Sequence, residues 1–126
     1  MIDHVSIAVR NLAASASLYE RILAPLGLIR LVAGETSVGF GKRYPEFWLN
    51  HRSGLSPVSA DTGSHVCLRA FDEAAVRSFF DTAVRLGCIG AGDPGMRAGA
   101  MTVYFGAFIC DLDGNKIEVA TFPRAG

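Results

Sequence analysis

Residues 4–28, HVSIAVRNLAASASLYERILAPLGL, decide the fold, because residues 65–88, HVCLRAFDEAAVRSFFDTAVRLGC, repeat their pattern. His4 answers His65, Val5 answers Val66 and Ile7 answers Leu68. Asn11 answers Asp72, Tyr19 answers Phe80 and Leu23 answers Val84, all at an offset of 61. One residue is then lost, and Gly27 answers Gly87. Similarity at one offset marks a duplicated module, and two copies are too few for a solenoid.

Each copy carries the same local physics. Val5, Ile7 and Val9 alternate with His4, Ser6 and Ala8, which is the period of a half-buried strand. Val66, Leu68 and Ala70 alternate likewise with His65, Cys67 and Arg69. Asn11 and Asp72 suit the N-cap of a following helix, since their side-chain oxygens accept from its free amides. Leu12, Tyr19, Ile22, Leu23 and Leu26 then form an apolar helix face, as do Val76, Phe79, Phe80, Ala83 and Leu86. Gly27 and Gly87 stand where a left-handed stop is needed.

Strand-like runs follow each helix: Leu28–Val32, Val38–Phe40 and Pro45–Asn50 in the first copy, Thr102–Cys110 and Asn115–Thr121 in the second. The stretch Asp111–Asn115 joins the last two as a hairpin turn. Each half therefore reads as strand–helix–three strands, with a first module over about 1–51 and a second over about 64–126. The polar, Gly/Pro/Ser-containing stretch 52–63 reads as the linker. Ile89–Met101, IGAGDPGMRAGAM, holds four of the 14 glycines and matches no phosphate-binding loop. It is expected to be a long loop inserted into the second copy, a lid or a simple connection beside the site.

The whole chain bounds the function. Its 126 residues fit one domain, and half of them are hydrophobic. The formal net charge is zero, which argues against a nucleic-acid partner and favours self-association. Cys67, Cys88 and Cys110 form neither a disulfide framework nor a zinc knuckle. No apolar run approaches a membrane span, so no membrane partner is expected. The opening Ile2-Asp3-His4-Val5 lacks the pattern of a secretory signal, and a cytoplasmic location is expected.

In each copy the aliphatic residues face the helix. The opposite face carries His4, Ser6 and Ala8 in one copy and His65, Cys67 and Arg69 in the other, and a sheet face holding two histidines is a natural pocket floor. Strand alternation directs Tyr104, Gly106 and Phe108 to that side. A phenol there would serve as a general acid or oxyanion donor, or pack with its hydroxyl at the rim. Arg69 would bind a substrate carboxylate or stand exposed on its strand. Arg97 is the only cation of the glycine-rich segment and would reach a bound anion.

Duplicated strand–helix–three-strand modules, a His opening each, and the segments IDHVSIAVRNLAASASLYERILAPLGL (2–28) and FGAFICDLDGNKIEV (105–119) resemble the vicinal oxygen chelate superfamily. That group includes glyoxalase I, extradiol dioxygenases, fosfomycin-resistance enzymes and bleomycin-binding proteins. The resemblance implies an α+β glyoxalase-like fold: two tandem βαβββ modules forming a concave, curved mixed sheet with helices outside. It also implies metal ligands on the first and last strand of each module. Carried over, these are His4, His65 and Glu118. The fourth position falls on Trp48, which cannot ligate a metal, and this departs from the glyoxalase I pattern. Two imidazoles and one carboxylate suit non-haem Fe(II), and also Mn, Zn or Ni, with open positions for substrate. Glu46 shares the face of Trp48 and would replace the missing ligand or act as a base.

Two functions follow from the resemblance. One is a metal-dependent lyase, isomerase or dioxygenase acting on a small oxygenated substrate, with Glu118, Tyr104 and Glu46 in catalysis. The other is a metal-free protein of bleomycin-resistance type, sequestering a planar ligand around Trp48 and Phe108. Trp48, Arg69, Arg97, Tyr104 and Phe108 are the expected substrate contacts. A homodimer is expected, and the site forms either within one chain or from His4 of one chain with His65 and Glu118 of another.

Overall fold

A computed structural model describes residues 1–59 and 61–123. Ala60 of the linker and the last three residues of the second module lie outside the described part. The first module runs β1 (Val5–Val9), α1 (Leu12–Leu23), a 3₁₀ turn (Ala24–Leu26), β2 (Ile29–Ala33), β3 (Ser37–Gly41) and β4 (Phe47–His51). The second runs β5 (Val66–Arg69), α2 (Glu73–Arg85), β6 (Ile89–Ala98), β7 (Val103–Cys110) and β8 (Lys116–Thr121). The two sheets have the same order, β1-β4-β3-β2 and β5-β8-β7-β6. In each, the first strand lies parallel to the last and the other neighbours are antiparallel.

The duplication holds to the level of register. Ser6 stands opposite Trp48 in the first sheet, and Cys67 stands opposite Glu118 in the second. Trp48 and Glu118 are thus equivalent positions. The helix signals hold too. The Asn11 side chain accepts from the Ala14 amide at 3.0 Å, and that of Asp72 from the Ala75 amide at 2.9 Å. Gly27 and Gly87 end the helical segments with φ of +79° and +107°, a region that glycine enters without a Cβ clash.

One buried cluster unites the modules. Tyr19, Ile22, Leu23, Phe40, Phe47 and Leu49 join Val76, Phe79, Ile109, Ile117 and Val119 in it. Helices α1 and α2 pack on each other, each against its own sheet. Polar bonds close the joint at the β7–β8 turn. Asp111 accepts from the Tyr19 hydroxyl at 2.7 Å, Arg10 Nε donates to Asp113 at 2.8 Å, and Asn115 Nδ2 donates to the Ala8 carbonyl at 2.9 Å.

The segment expected to be a long loop from Ile89 to Met101 is a strand as far as Ala98, and the turn is confined to the few residues before Val103. Strand β7 offers β6 an open edge, and backbone pairing outweighs the low strand propensity of its three glycines. Register shifts between Gly90 and Gly92 and between Gly92 and Gly95 absorb the misfit, and Pro94 sits within the second of them.

Candidate functional site

The candidate site is built on β8. Glu118 is flanked in register by Cys67 of β5 and Phe108 of β7, and Phe108 in turn by Gly92 of β6. These positions share one face, the one turned away from α2. Neighbouring strands hold the Glu118 side chain so closely that it is only 6% exposed. A buried carboxylate needs partners, and two are present. His65 Nε2 lies 3.0 Å from Oε1, and the Tyr104 hydroxyl donates to Oε2 at 2.6 Å.

This bond chiefly, with burial and the Glu118 charge behind it, pushes the Tyr104 phenol up to about 12. Tyr104 therefore keeps its proton at neutral pH and serves as a donor. The Cys67 thiol is also pushed up to about 12, first by burial around its sulfur and then by the charge and hydrogen bond of Glu118. It is no thiolate nucleophile near neutrality. A cleft of about 330 Å³ opens beside these groups, lined by Cys67, Met101, Tyr104, Glu118 and Phe122.

Aromatic rings organise the surrounding cations. Phe108 meets the His65 ring edge-on at 5.5 Å, and carries Arg97 at 5.4 Å and Lys116 at 5.0 Å from its centre. Phe122 stacks on Tyr104 at 5.2 Å and bears Arg69 at 4.8 Å. The residues named from sequence in the second module, His65, Arg69, Arg97, Tyr104, Phe108 and Glu118, thus form one neighbourhood. Sequence reasoning missed Lys116 and Phe122. Lys116 lies two residues before Glu118 and Phe122 four residues after it, just beyond the strand, so the period of two would have found both.

The first module presents the matching face. Trp48 lies across Gly39, where a Cβ would come within 3.0 Å of its ring. Glu46 is exposed just before β4. His4 is exposed and lies 2.8 Å from Asp3, whose carboxylate also accepts from the Tyr44 hydroxyl at 2.7 Å. His4 precedes β1 of the first sheet, whereas His65 precedes β5 and Glu118 lies on β8 of the second, and among the described residues no three His, Cys, Asp or Glu side chains converge as a metal site. Nor is any described helix long and apolar enough to cross a membrane.

The duplicated βαβββ fold with a polar sheet face in each half defines a class. Residues 1–119 match the model of the Glyoxalase/Bleomycin resistance protein/Dioxygenase superfamily, and the chain belongs to that family. A glyoxalase/bleomycin resistance protein from Albidiferax ferrireducens T118 is similar at 26% identity with a TM-score of 0.82, over 95% of this chain and 98% of that one. A glyoxalase/dioxygenase from Nostoc punctiforme shares the fold at 19% identity with a TM-score of 0.72, over 98% and 92%. The fosfomycin resistance protein FosX from Mesorhizobium loti shares it at 14% identity with a TM-score of 0.68, over the same shares. No curated protein matches the chain.

Proposed function

We propose that this chain is a metal-dependent enzyme of its superfamily, a lyase, isomerase or dioxygenase that acts on a small oxygenated substrate. The observation that carries the reading is the 3.0 Å separation of His65 Nε2 and Glu118 Oε1. Two adjacent ligands of one metal, each about 2.0–2.2 Å from it, stand about 3 Å apart. The pair thus fits a shared Fe, Mn, Zn or Ni ion. When bound, such an ion would polarise substrate oxygens as a Lewis acid.

The chain's own groups supply the rest. Tyr104 keeps its proton on the phenol oxygen, donates it in a hydrogen bond to Glu118 before substrate binds, and would turn it to a developing oxyanion in the reaction. Arg69 and Arg97 hold the substrate, and Met101 and Phe122 narrow the cleft beside it. A third ligand comes from His4 of a second copy in a homodimer, which sets Trp48 and the base Glu46 against the same substrate. Protein purified without chelators is expected to contain near-stoichiometric divalent metal, and His65→Ala to lose it, by elemental analysis. Failure to bind any of Fe, Mn, Zn, Ni or Co on titration would overturn the proposal.

One observation favours a second reading, a metal-free binder of planar ligands. Trp48 occupies the position that mirrors Glu118 and offers a flat ring on the open face. Strong quenching of Trp48 emission by planar ligands, without turnover and without metal, would select it.

A further inference from the structure

Arg97 reaches Phe108 across a bare strand. It stands opposite Tyr104, whereas Phe108 stands opposite Gly92. Its guanidinium covers that distance because a Cβ at Gly92 would come within 2.9 Å of Nη2. Nη2 donates to the Asp93 carbonyl at 2.8 Å, which fixes the fork, while Nε is buried with no partner. Lys116 approaches the same ring from β8, 5.0 Å from its centre. Among the described residues neither cation forms an ion pair. The carboxylate on this face, Glu118, is engaged by His65 and Tyr104. Among the described residues two cations are thus held at one aromatic ring with no ion-pair partner, one of them with a buried N–H unsatisfied. An unmet buried donor is costly, and an incoming oxyanion would satisfy it.

We propose that Arg97 and Lys116 form an oxyanion subsite, so that the substrate carries a carboxylate, phosphate or phosphonate group. The anion accepts from the Arg97 guanidinium and from Lys116 Nζ at the Phe108 ring, the Arg97 side chain shifting to bring its buried Nε to the oxygen. Arg97 is suited to this because its planar fork pairs with two oxygens at once. The inference rests on the reading of this face as the substrate site and names the class of substrate. It also assigns Gly92 of β6 a task, since a side chain there would meet the Arg97 guanidinium.

The test uses chelator-treated protein, with inorganic phosphate and acetate as probes and glycerol as the neutral comparison, by calorimetry. At least one anion is expected to bind saturably and glycerol not at all. Arg97→Gln and Lys116→Gln are each expected to weaken the anion about tenfold or more, while Arg85→Gln on α2 leaves it unchanged. Gly92→Ala, which keeps both charges but displaces the guanidinium, is expected to weaken it as well. Absence of binding by both anions overturns the proposal. So does equal affinity in Arg97→Gln, Lys116→Gln and the parent, or an equal loss in Arg85→Gln. Because no metal is present, failure here leaves the metal titration intact, and failure of that titration leaves this result intact.

Discussion

At the scale of the residue, two buried groups set the alkaline limit of the fold. Burial, with the Asp111 and Cys110 charges behind it, pushes the Cys88 thiol from 9.0 up to about 12. Tyr19, fully buried against Asp111, is likewise held well above its ordinary value. Below pH 9 the Cys88 thiol is protonated in both folded and unfolded chains. Between pH 9 and 12 the unfolded thiol loses its proton while the folded one keeps it, so stability falls as pH rises. Each such group contributes up to about 1.4 kcal/mol per pH unit. Urea midpoints are therefore expected to drop from pH 9 to 11, and Cys88→Ala to flatten that slope. An unchanged slope in the variant would contradict this. Sequence gave away Tyr19 as a core-facing helix residue through its spacing. Its hydroxyl partner could not be read, because Asp111 lies 92 residues onward and no local period links them.

At the scale of the element, strands and helices were legible where side chains alternate and not where glycine replaces them. The caps at Asn11 and Asp72 and the stops at Gly27 and Gly87 are local devices, and local devices can be read from sequence. Strand β6 has no alternation to read, since its existence depends on the edge of β7. The site was half legible for a related reason. His65 and Tyr104 follow from the period of two and Glu118 from the family resemblance, whereas the path of Arg97 depends on which neighbours lack side chains. Strand β3 shows how tightly such positions are held. A Cβ at Gly41 would overlap the Tyr44 carbonyl oxygen and lie 3.2 Å from Pro45 Cα, both backbone atoms that cannot swing aside. Gly41→Ala is expected to cost about 1–3 kcal/mol or more in urea unfolding. Gly54→Ala, with nothing within 4 Å, should be near neutral.

At the scale of the whole molecule, the duplication gives two half-sites, and their separation within one chain is the part no local pattern carried. His4 and His65 stand at equivalent places, each one residue before the first strand of its module, yet those strands belong to different sheets. The homodimer proposed above has a direct consequence for mixed variants. His4→Ala and His65→Ala each remove a ligand from both sites of a homodimer. In a heterodimer of the two, both losses fall in one site and the other is intact. An equimolar mixture, unfolded and refolded together, is expected to recover about a quarter of the parent metal per chain, while each variant alone holds little. Recovery no greater than that of the separate variants would place the whole site within one chain.

The joint at the β7–β8 turn also bears on how the protein is made. Tyr19 leaves the ribosome long before Asp111, and at about 5–20 residues per second several seconds separate the two. Throughout that interval the first module holds a hydroxyl that its own core cannot satisfy. The Ala8 carbonyl waits still longer for Asn115. The first module is thus held back from finishing by the β7–β8 turn of the second.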